Sequence, residues 1–112
     1  MCLFCEIANK NIPSTCVYED ETVFVFNDIA PKAETHMLVI PKEHIGSMAD
    51  VNAENSAVVA HIFEVIAKLT KEKGIAEDGF RVISNCGEKA GQTVFHLHFH
   101  VLAGEGMTEA TV

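Results

Sequence analysis

The chain has 112 residues, 48% of them hydrophobic, a length and composition that suit one domain with a small core rather than two domains. Its formal net charge of −8 argues against non-specific nucleic-acid binding, which needs a cationic surface, although a local pocket can still hold a mononucleotide. The sequence has neither a run of about 18 apolar residues nor a signal-peptide pattern, so we expect no membrane span and a single domain, residues 1–112, in the cytoplasm.

Turn-forming residues divide the chain into short predicted elements. Residues 2–9 are predicted to form a short helix that ends before Pro13. The predicted strands are residues 16–18, 23–27, 36–40, 80–84 and 95–102. Pro41 ends the third strand because proline cannot donate to a sheet ladder. The polar residues 85–93 are predicted to form a loop before the last strand.

One long helix is predicted between the third and fourth strands. It begins after Asn52, a favourable N-cap residue, and runs to about Lys73, where Gly74 ends it. Its apolar side is wider than one sheet face needs, which indicates either packing against a second subunit, the interpretation we favour, or deep burial in a small domain. Strands in series around one inserted helix indicate an α+β fold with a five-stranded antiparallel meander.

Three histidines alternate along the last predicted strand. Because successive side chains of a strand point to opposite faces, His96, His98 and His100 are expected on one face. The side chains expected on the opposite, apolar face are Phe95, Leu97, Phe99 and Val101. Such a row can face solvent, hold a catalytic zinc ion with an open water position, or supply an imidazole for covalent catalysis at phosphorus.

The four cysteines are expected to be reduced thiols in the cytoplasm. Cys2 and Cys5 form a Cys-x-x-Cys motif, which alone is moderate evidence for zinc, the alternative being two free thiols on a short helix. Cys16 and Cys86 have no partner in the sequence, and we interpret them as small apolar residues.

Several motifs together resemble those of the histidine triad (HIT) family. His-Leu-His-Phe-His-Val-Leu at residues 96–102 resembles that family's His-x-His-x-His-apolar-apolar motif, and Gly-Gln-Thr-Val-Phe at 91–95 resembles its lead-in. Residues 26–31 and 35–45 match its other motifs in order and spacing. The resemblance covers about residues 2–104 and is closest to the Hint-like branch of adenosine phosphoramidases. It implies a HIT-like fold and a homodimer with a ten-stranded sheet.

The resemblance assigns catalytic roles to four residues. His98 matches the nucleophile that attacks the α-phosphorus of a nucleoside phosphoramidate and forms a nucleotidyl-imidazole. His100 matches a residue that hydrogen-bonds phosphate oxygens, and His36 matches a pocket histidine that supports or orients His98. Thr93 stands where the family usually has serine, and its hydroxyl can still donate to the phosphate or the leaving group.

The same resemblance implies a nucleotide-binding set. Asp28 matches the carboxylate that accepts hydrogen bonds from the ribose hydroxyls, and Asn85 matches an amide that contacts phosphate or ester oxygens. The backbone N–H groups of Gly91, Gln92, Thr93 and Val94 are expected to face the phosphate. The side chains that match the apolar wall around the base are Leu3, Phe4, Phe26 and Ile29.

Bacterial-type members of the family also carry the Cys-x-x-Cys motif, and the resemblance implies a structural zinc ion. Its matching ligands here are Cys2, Cys5, His44 and His96. Two cysteines and two histidines close a tetrahedral site, so this ion would be structural, and assigning His96 to it argues against the three-histidine catalytic zinc.

The resemblance therefore predicts hydrolysis of purine nucleoside 5′-phosphoramidates. The expected ligand is a purine nucleoside monophosphate or phosphoramidate, with no nucleic acid and no membrane as partner. Three alternatives stay open: a hydrolase of dinucleoside polyphosphates, a nucleotide-binding interaction protein whose hydrolysis is incidental, and a hydrolase with a catalytic zinc ion.

Overall fold

The computed structural model describes residues 2–107. Its elements are α1 (Leu3–Ala8), β1 (Cys16–Glu19), β2 (Val23–Asn27), β3 (Thr35–Pro41), α2 (Ser56–Glu72), β4 (Arg81–Ile83) and β5 (Phe99–Ala103), with 3-10 turns at Met48–Asp50 and Glu88–Ala90. The predicted α+β fold, with a long helix and a short N-terminal helix, is confirmed. In the described part of the chain, neither helix is both long and apolar enough to cross a membrane.

The five strands form one antiparallel sheet in the order β1-β2-β3-β5-β4. This order differs from a simple meander, because β5 lies between β3 and β4 instead of at the edge. The connection through α2 is long enough for β4 to form the outer strand. Strand β5 then occupies the position next to β3. As a result β5 has a neighbour on each side, with Leu38 of β3 and Ile83 of β4 both paired to His100.

Each face of the sheet packs on a different helix. The core on the α2 side includes Val25 and Val39 of the sheet and Ile62 of the helix, all fully buried. The core on the α1 side is built by the alternate positions of the same strands and by the helix itself. Its members are Phe4, Ile7, Ala8, Phe24, Phe26, Leu38 and Ile40. Because successive side chains of a strand point to opposite faces of the sheet, alternate residues of each strand pack against α1 and against α2.

Helix α2 begins at Ser56, three residues later than the predicted start directly after Asn52. The Asn52 side chain accepts hydrogen bonds from the backbone N–H of Glu54 and Asn55, at 2.8 and 3.2 Å, and so caps a separate turn that precedes the helix. The other end is as predicted: Gly74 has φ +75°, and Ile75 N–H donates to the Thr70 carbonyl at 3.0 Å.

Strand β5 is shorter than predicted, because residues 95–98 lie outside the ladder. The Leu97 N–H donates to the Ile45 carbonyl at 2.6 Å, and Ile45 precedes α2 and belongs to no strand. The alternation nevertheless continues: Leu97 is buried in the α2-side core, whereas the rings of His96 and His98 lie against Phe4 of α1. Phe95, which was expected on the same apolar face as Leu97, is 53% exposed and is not part of the buried core.

Candidate functional site

A cavity of about 300 Å³ opens between α1, the end of β2 and residues 96–100, which we call the histidine segment. Its lining residues are Leu3, Phe4, Ile7, Ile12, Pro13, Ser14, Phe26, Asp28, Ile29, Leu38, Thr93, Val94, His98 and His100. Two of the three predicted triad histidines thus share one pocket with the predicted apolar wall, with Asp28 and with Thr93. The cavity size lies within the usual range of small-ligand sites.

The ring of His98 is held in one tautomer by its own backbone. Its Nδ1 lies 2.7 Å from the His96 carbonyl oxygen, which can only accept, so Nδ1 carries the proton and Nε2 keeps the lone pair. Burial lowers the pKa of His98, against smaller opposing effects of this hydrogen bond and of Asp28, so the ring is neutral near pH 7. A neutral imidazole with a free Nε2 lone pair is a nucleophile.

The Nε2 atom of His98 is open to the cavity. Among the described residues, no buried side-chain nitrogen lacks a hydrogen-bond partner. The hydrogen bond of the His98 ring is made by Nδ1, so Nε2 must reach accessible space. Since His98 lines the 300 Å³ cavity, that space is the pocket itself.

His100 is oriented by His36. The Lys32 N–H donates to His36 Nδ1 at 3.0 Å, so the proton of a neutral His36 sits on Nε2, which lies 2.9 Å from His100 Nδ1. His100 Nδ1 then accepts, and its Nε2–H is left to donate. Burial lowers the pKa of His36, and burial together with His98 and His36 lowers the pKa of His100 to about 4. The sequence-based expectation placed His36 against His98, whereas the hydrogen bond is made to His100.

The Asp28 carboxylate takes part in a turn and also lines the cavity. One carboxylate oxygen accepts the Ala30 N–H at 2.8 Å and forms the turn after β2. The other lies 3.4 Å from His36 Nε2, and the side chain lines the cavity. An oxygen that is not used by the turn is therefore available to a ligand.

The loop between β4 and the histidine segment is braced by the side chain of Gln92. This side chain is buried: its Oε1 accepts the Gly87 N–H at 2.8 Å, and its Nε2 donates to the carbonyls of Gly46 and Val94 at 2.9 and 3.1 Å. The Gln92 backbone N–H also donates within the loop, to the Gly87 carbonyl at 3.0 Å, so neither its side chain nor its N–H is free to donate to a phosphate. Gly91 has φ +95°, a conformation that favours glycine.

Of the loop residues that were predicted to contact the phosphate, some line the cavity and others do not. Thr93 and Val94 line the cavity beside His98 and His100. Among the described residues, Asn85, Gly91 and Gln92 do not line the cavity. The Asn85 amide nitrogen lies 3.8 Å from the position that a Cβ on Gly91 would take. The Asn85 side chain thus lies against the loop, beside the pocket rather than in it.

The four predicted metal ligands come together beside this pocket. One ligand atom from each of Cys2, Cys5, His44 and His96 lies within 4.8 Å of the others. Cys2 Sγ is 3.3 Å from His96 Nδ1, and Cys5 Sγ is 3.3 Å from His44 Nδ1. Tetrahedral zinc with ordinary bond lengths places sulfur and nitrogen ligands roughly 3.5 Å apart, so this cluster can hold a metal ion.

The orientation of His96 fits a metal ligand. Its Nε2 lies 2.8 Å from the Pro41 carbonyl oxygen, which can only accept, so the proton sits on Nε2. Nδ1 then presents its lone pair to the two sulfurs. A second hydrogen bond of this kind is the usual means by which proteins orient a histidine that binds a metal.

A second group of possible ligands, Asp28, His36 and His100, also lies within 4.8 Å of one another. It is a poor metal site, because the Lys32 N–H already uses the His36 Nδ1 lone pair and leaves a proton on the Nε2 that would have to bind the metal. We therefore assign this group to hydrogen bonding.

Some of the pocket was not predicted from the sequence. Ile7 and Ile12 add to the apolar wall from α1 and the segment after it, and Leu38 adds to it from β3. Leu38 could have been found, since it lies two residues after His36 and therefore on the same face of the strand. Nothing in the local pattern of Ile12 distinguishes it from an ordinary loop residue.

The chain is similar to known proteins over almost its whole length. A family model described as "Scavenger mRNA decapping enzyme C-term binding" matches residues 1–111. The purine nucleoside phosphoramidase of Escherichia coli K12 is 43% identical over 102 residues, which are 91% of this chain and 86% of that protein. A histidine triad protein from Clostridium difficile superposes with a TM-score of 0.92 at 52% identity, over 96% of this chain and 94% of that one. A HIT family hydrolase from Legionella pneumophila superposes with a TM-score of 0.94 at 43% identity, over 100% of both chains.

Proposed function

This chain belongs to the histidine triad family of hydrolases, and from that premise we propose that it cleaves purine nucleoside 5′-phosphoramidates through a covalent nucleotidyl-His98 intermediate. The similar E. coli protein is named for that activity. The observation that carries the proposal is the state of the His98 ring. The ring is neutral, its proton is fixed on Nδ1, and its Nε2 is open to a cavity of about 300 Å³.

In the proposed reaction, His98 Nε2 attacks the α-phosphorus, and the phosphorus–nitrogen bond breaks. The amine takes a proton from solvent as it leaves, and the nucleotide is bound to the imidazole. A water molecule then attacks the same phosphorus and gives a proton back to solvent. The bond between phosphorus and Nε2 breaks, which releases the nucleoside monophosphate and restores His98. Because the imidazole is a good leaving group as well as a good nucleophile, one difficult displacement becomes two easier ones.

The neighbouring residues have roles that suit this reaction. His100 donates from Nε2 to a phosphate oxygen, and the Thr93 hydroxyl at the rim of the pocket donates to the phosphate or the leaving group. Asp28 accepts from the ribose hydroxyls. Phe26 and Ile29 belong to the apolar wall against which the base packs. Ile29 is 97% exposed, so a bound base would cover it.

We propose that the metal cluster of Cys2, Cys5, His44 and His96 binds a structural zinc ion in the cytoplasm, where the thiols stay reduced. Four protein ligands leave no open position, so the ion would stabilise the fold and take no part in the reaction. It would join α1, which carries part of the pocket wall, to the segment that carries His98.

We also propose a homodimer. Phe63 of α2 is 50% exposed, although its ring packs on Phe99 with 5.3 Å between centroids. The edge strand β4 has only three residues, and Val82 on it is 37% exposed. A partner would cover these apolar groups and pair the open edge. Sedimentation of the purified protein at several concentrations tests this proposal.

Trapping the intermediate tests the mechanism. The protein is mixed with an adenosine 5′-phosphoramidate, quenched in alkali, and digested for mass spectrometry. Adenylylation is expected on the peptide with His98 and is expected to be absent in His98→Asn. His61→Asn, which removes a partly exposed histidine on α2, is the matched control and should form the adduct normally. A wild-type protein that hydrolyses the substrate with no adduct at any time would refute the covalent route.

A further inference from the structure

The nucleophile lies just outside the regular sheet, and its backbone carbonyl is held by a side chain. The ladder between β4 and β5 ends at the pair Ile83 and His100. Beyond that pair the Ser84 hydroxyl donates to the His98 carbonyl oxygen at 2.9 Å. The side chain of Ser84 thus binds a carbonyl group of the histidine segment where the regular pairing with β4 has stopped.

Two anchored peptide groups flank the His98 side chain. The peptide between His96 and Leu97 is held through its N–H, which donates to the Ile45 carbonyl at 2.6 Å, and its carbonyl oxygen lies 2.7 Å from His98 Nδ1. The peptide that follows His98 is held through its carbonyl by Ser84. The first anchor sets the tautomer of the ring, and the second fixes the backbone from which the ring projects.

We propose that Ser84 is a positioning residue for the nucleophile His98. This inference rests on the proposed function. Ser84 is absent from the described lining of the pocket, so it acts through the His98 backbone and touches no substrate. Without the hydroxyl, the peptide after His98 can rotate, and the distance between His98 Nδ1 and the His96 carbonyl is no longer fixed. The ring then populates the tautomer with its proton on Nε2, which cannot attack phosphorus.

The variants for the test are Ser84→Ala, which removes the donor, and Ser84→Thr, which keeps it. The matched control is Thr70→Val: Thr70 is buried in α2, and its hydroxyl donates to the Ile66 carbonyl at 2.8 Å, far from the pocket. Single-turnover adenylylation by an adenosine phosphoramidate is measured, because product release can limit steady-state turnover. AMP affinity and the ¹⁵N shifts of the histidine rings are measured on the same proteins.

In Ser84→Ala we expect adenylylation to slow about tenfold, the order expected from a small misplacement of a reacting group. AMP affinity should change less than about twofold, since the pocket lining is intact. The His98 ring should change from one tautomer to a mixture. Ser84→Thr should restore both the rate and the single tautomer. Thr70→Val should lose thermal stability and keep the wild-type rate.

Three results would overturn the inference. The first is adenylylation at the wild-type rate in Ser84→Ala. The second is a rate loss in Thr70→Val as large as that in Ser84→Ala, which would reduce Ser84 to a general stability effect. The third is an unchanged His98 tautomer in Ser84→Ala. The tautomer measurement needs no substrate, so it tests Ser84 even if the wild-type protein forms no adduct. A wild-type protein without an adduct would refute the covalent mechanism. The NMR result would then decide by itself whether Ser84 positions His98.

Discussion

Phe4 stands edge-on to the proposed nucleophile His98, with 5.0 Å between ring centroids and an angle of 89° between ring planes. The same ring packs against Phe26 at 5.5 Å. Phe4 lies between Cys2 and Cys5 in the sequence, so the metal cluster and the pocket share this one short helix. The position of the His98 ring therefore depends on how firmly α1 is held.

Replacing Phe4 should impair both stability and catalysis. Phe4 is 6% exposed, and Phe4→Ala should cost about 3–4 kcal/mol of unfolding free energy, as usual for a buried phenylalanine. Phe4→Leu should cost less, about 1–2 kcal/mol, yet still lower kcat/KM because the edge contact with His98 is lost. Urea unfolding and hydrolysis of an adenosine phosphoramidate measure the two effects. Phe63→Leu is the control, and an equal loss of kcat/KM there would contradict this role of Phe4.

Metal removal should destabilise the fold and loosen α1. A strong chelator is expected to remove about one zinc ion per chain and to lower Tm by about 5 °C or more. Cys5→Ser should bind little zinc and show a similarly low Tm without chelator. Cys16→Ser is the matched control, because Cys16 is exposed and outside the cluster. Metal analysis and thermal scans check this, and a protein purified without metal at unchanged Tm would contradict it.

The brace formed by Gln92 should be needed for stability as much as for the loop's shape. Gln92→Ala leaves the Gly87 N–H and the carbonyls of Gly46 and Val94 without their partner, which should cost about 1–3 kcal/mol. Because the loop carries Thr93, KM for the phosphoramidate should rise as well. Asn11→Ala removes an exposed amide whose hydrogen bond is made to Glu6, and it should leave both quantities nearly unchanged. Urea unfolding and steady-state kinetics distinguish the two variants.

Much of the fold and the site could be predicted because it depends on period and spacing. Alternation placed Leu97 in the core and His98 on the opposite face, since a strand turns successive side chains to opposite faces. The Cys-x-x-Cys motif is visible in the sequence, but His44 and His96 were added to it only by the resemblance to the family.

The features that could not be predicted depend on contacts between distant parts of the chain. Strand β5 begins at Phe99 because Leu97 N–H finds the Ile45 carbonyl, which is not apparent from either residue alone. The same applies to the Gln92 side chain, which donates to the Gly46 carbonyl. It also applies to Ser84, whose hydroxyl meets the His98 carbonyl only because the fold places β4 beside the histidine segment. The position of β5 between β3 and β4 likewise depends on the long connection and not on any strand's own sequence.

A histidine outside the pocket, His61, links α2 to the turn between β1 and β2. Its Nε2 lies 2.7 Å from Asp20 Oδ2, and its Nδ1 lies 3.0 Å from Glu64 Oε1. A neutral imidazole has one N–H and can donate to only one of these carboxylates, whereas the protonated ring donates to both. The hydrogen bonds to Glu64 and Asp20 accordingly raise the pKa of His61 above its ordinary value of 6.5.

The direction of the pH effect follows from that raised pKa. The contribution of protonated His61 is fully present below about pH 6.5, the unfolded pKa, and is lost as the pH rises through the higher folded pKa. Burial raises the pKa of Asp20, but hydrogen bonds from His61 and Tyr18 outweigh it and hold that pKa well below its usual range, so the carboxylate stays charged at pH 5. The His61 side chain is 38% exposed, so the screened effect should be small, about 0.5 kcal/mol.

Urea unfolding of wild type and His61→Gln at pH 5.5 and pH 9 checks this. The wild-type advantage should be greater at pH 5.5 by about 0.5 kcal/mol. Titration of the metal ligands affects both proteins equally and cancels in the difference. Glu64→Gln should reduce the pH dependence while leaving the Asp20 contact in place, because it removes the negative charge from one of the two acceptors. If the advantage were the same at both pH values, protonation of His61 would not contribute to the stability of the link between α2 and the β1–β2 turn.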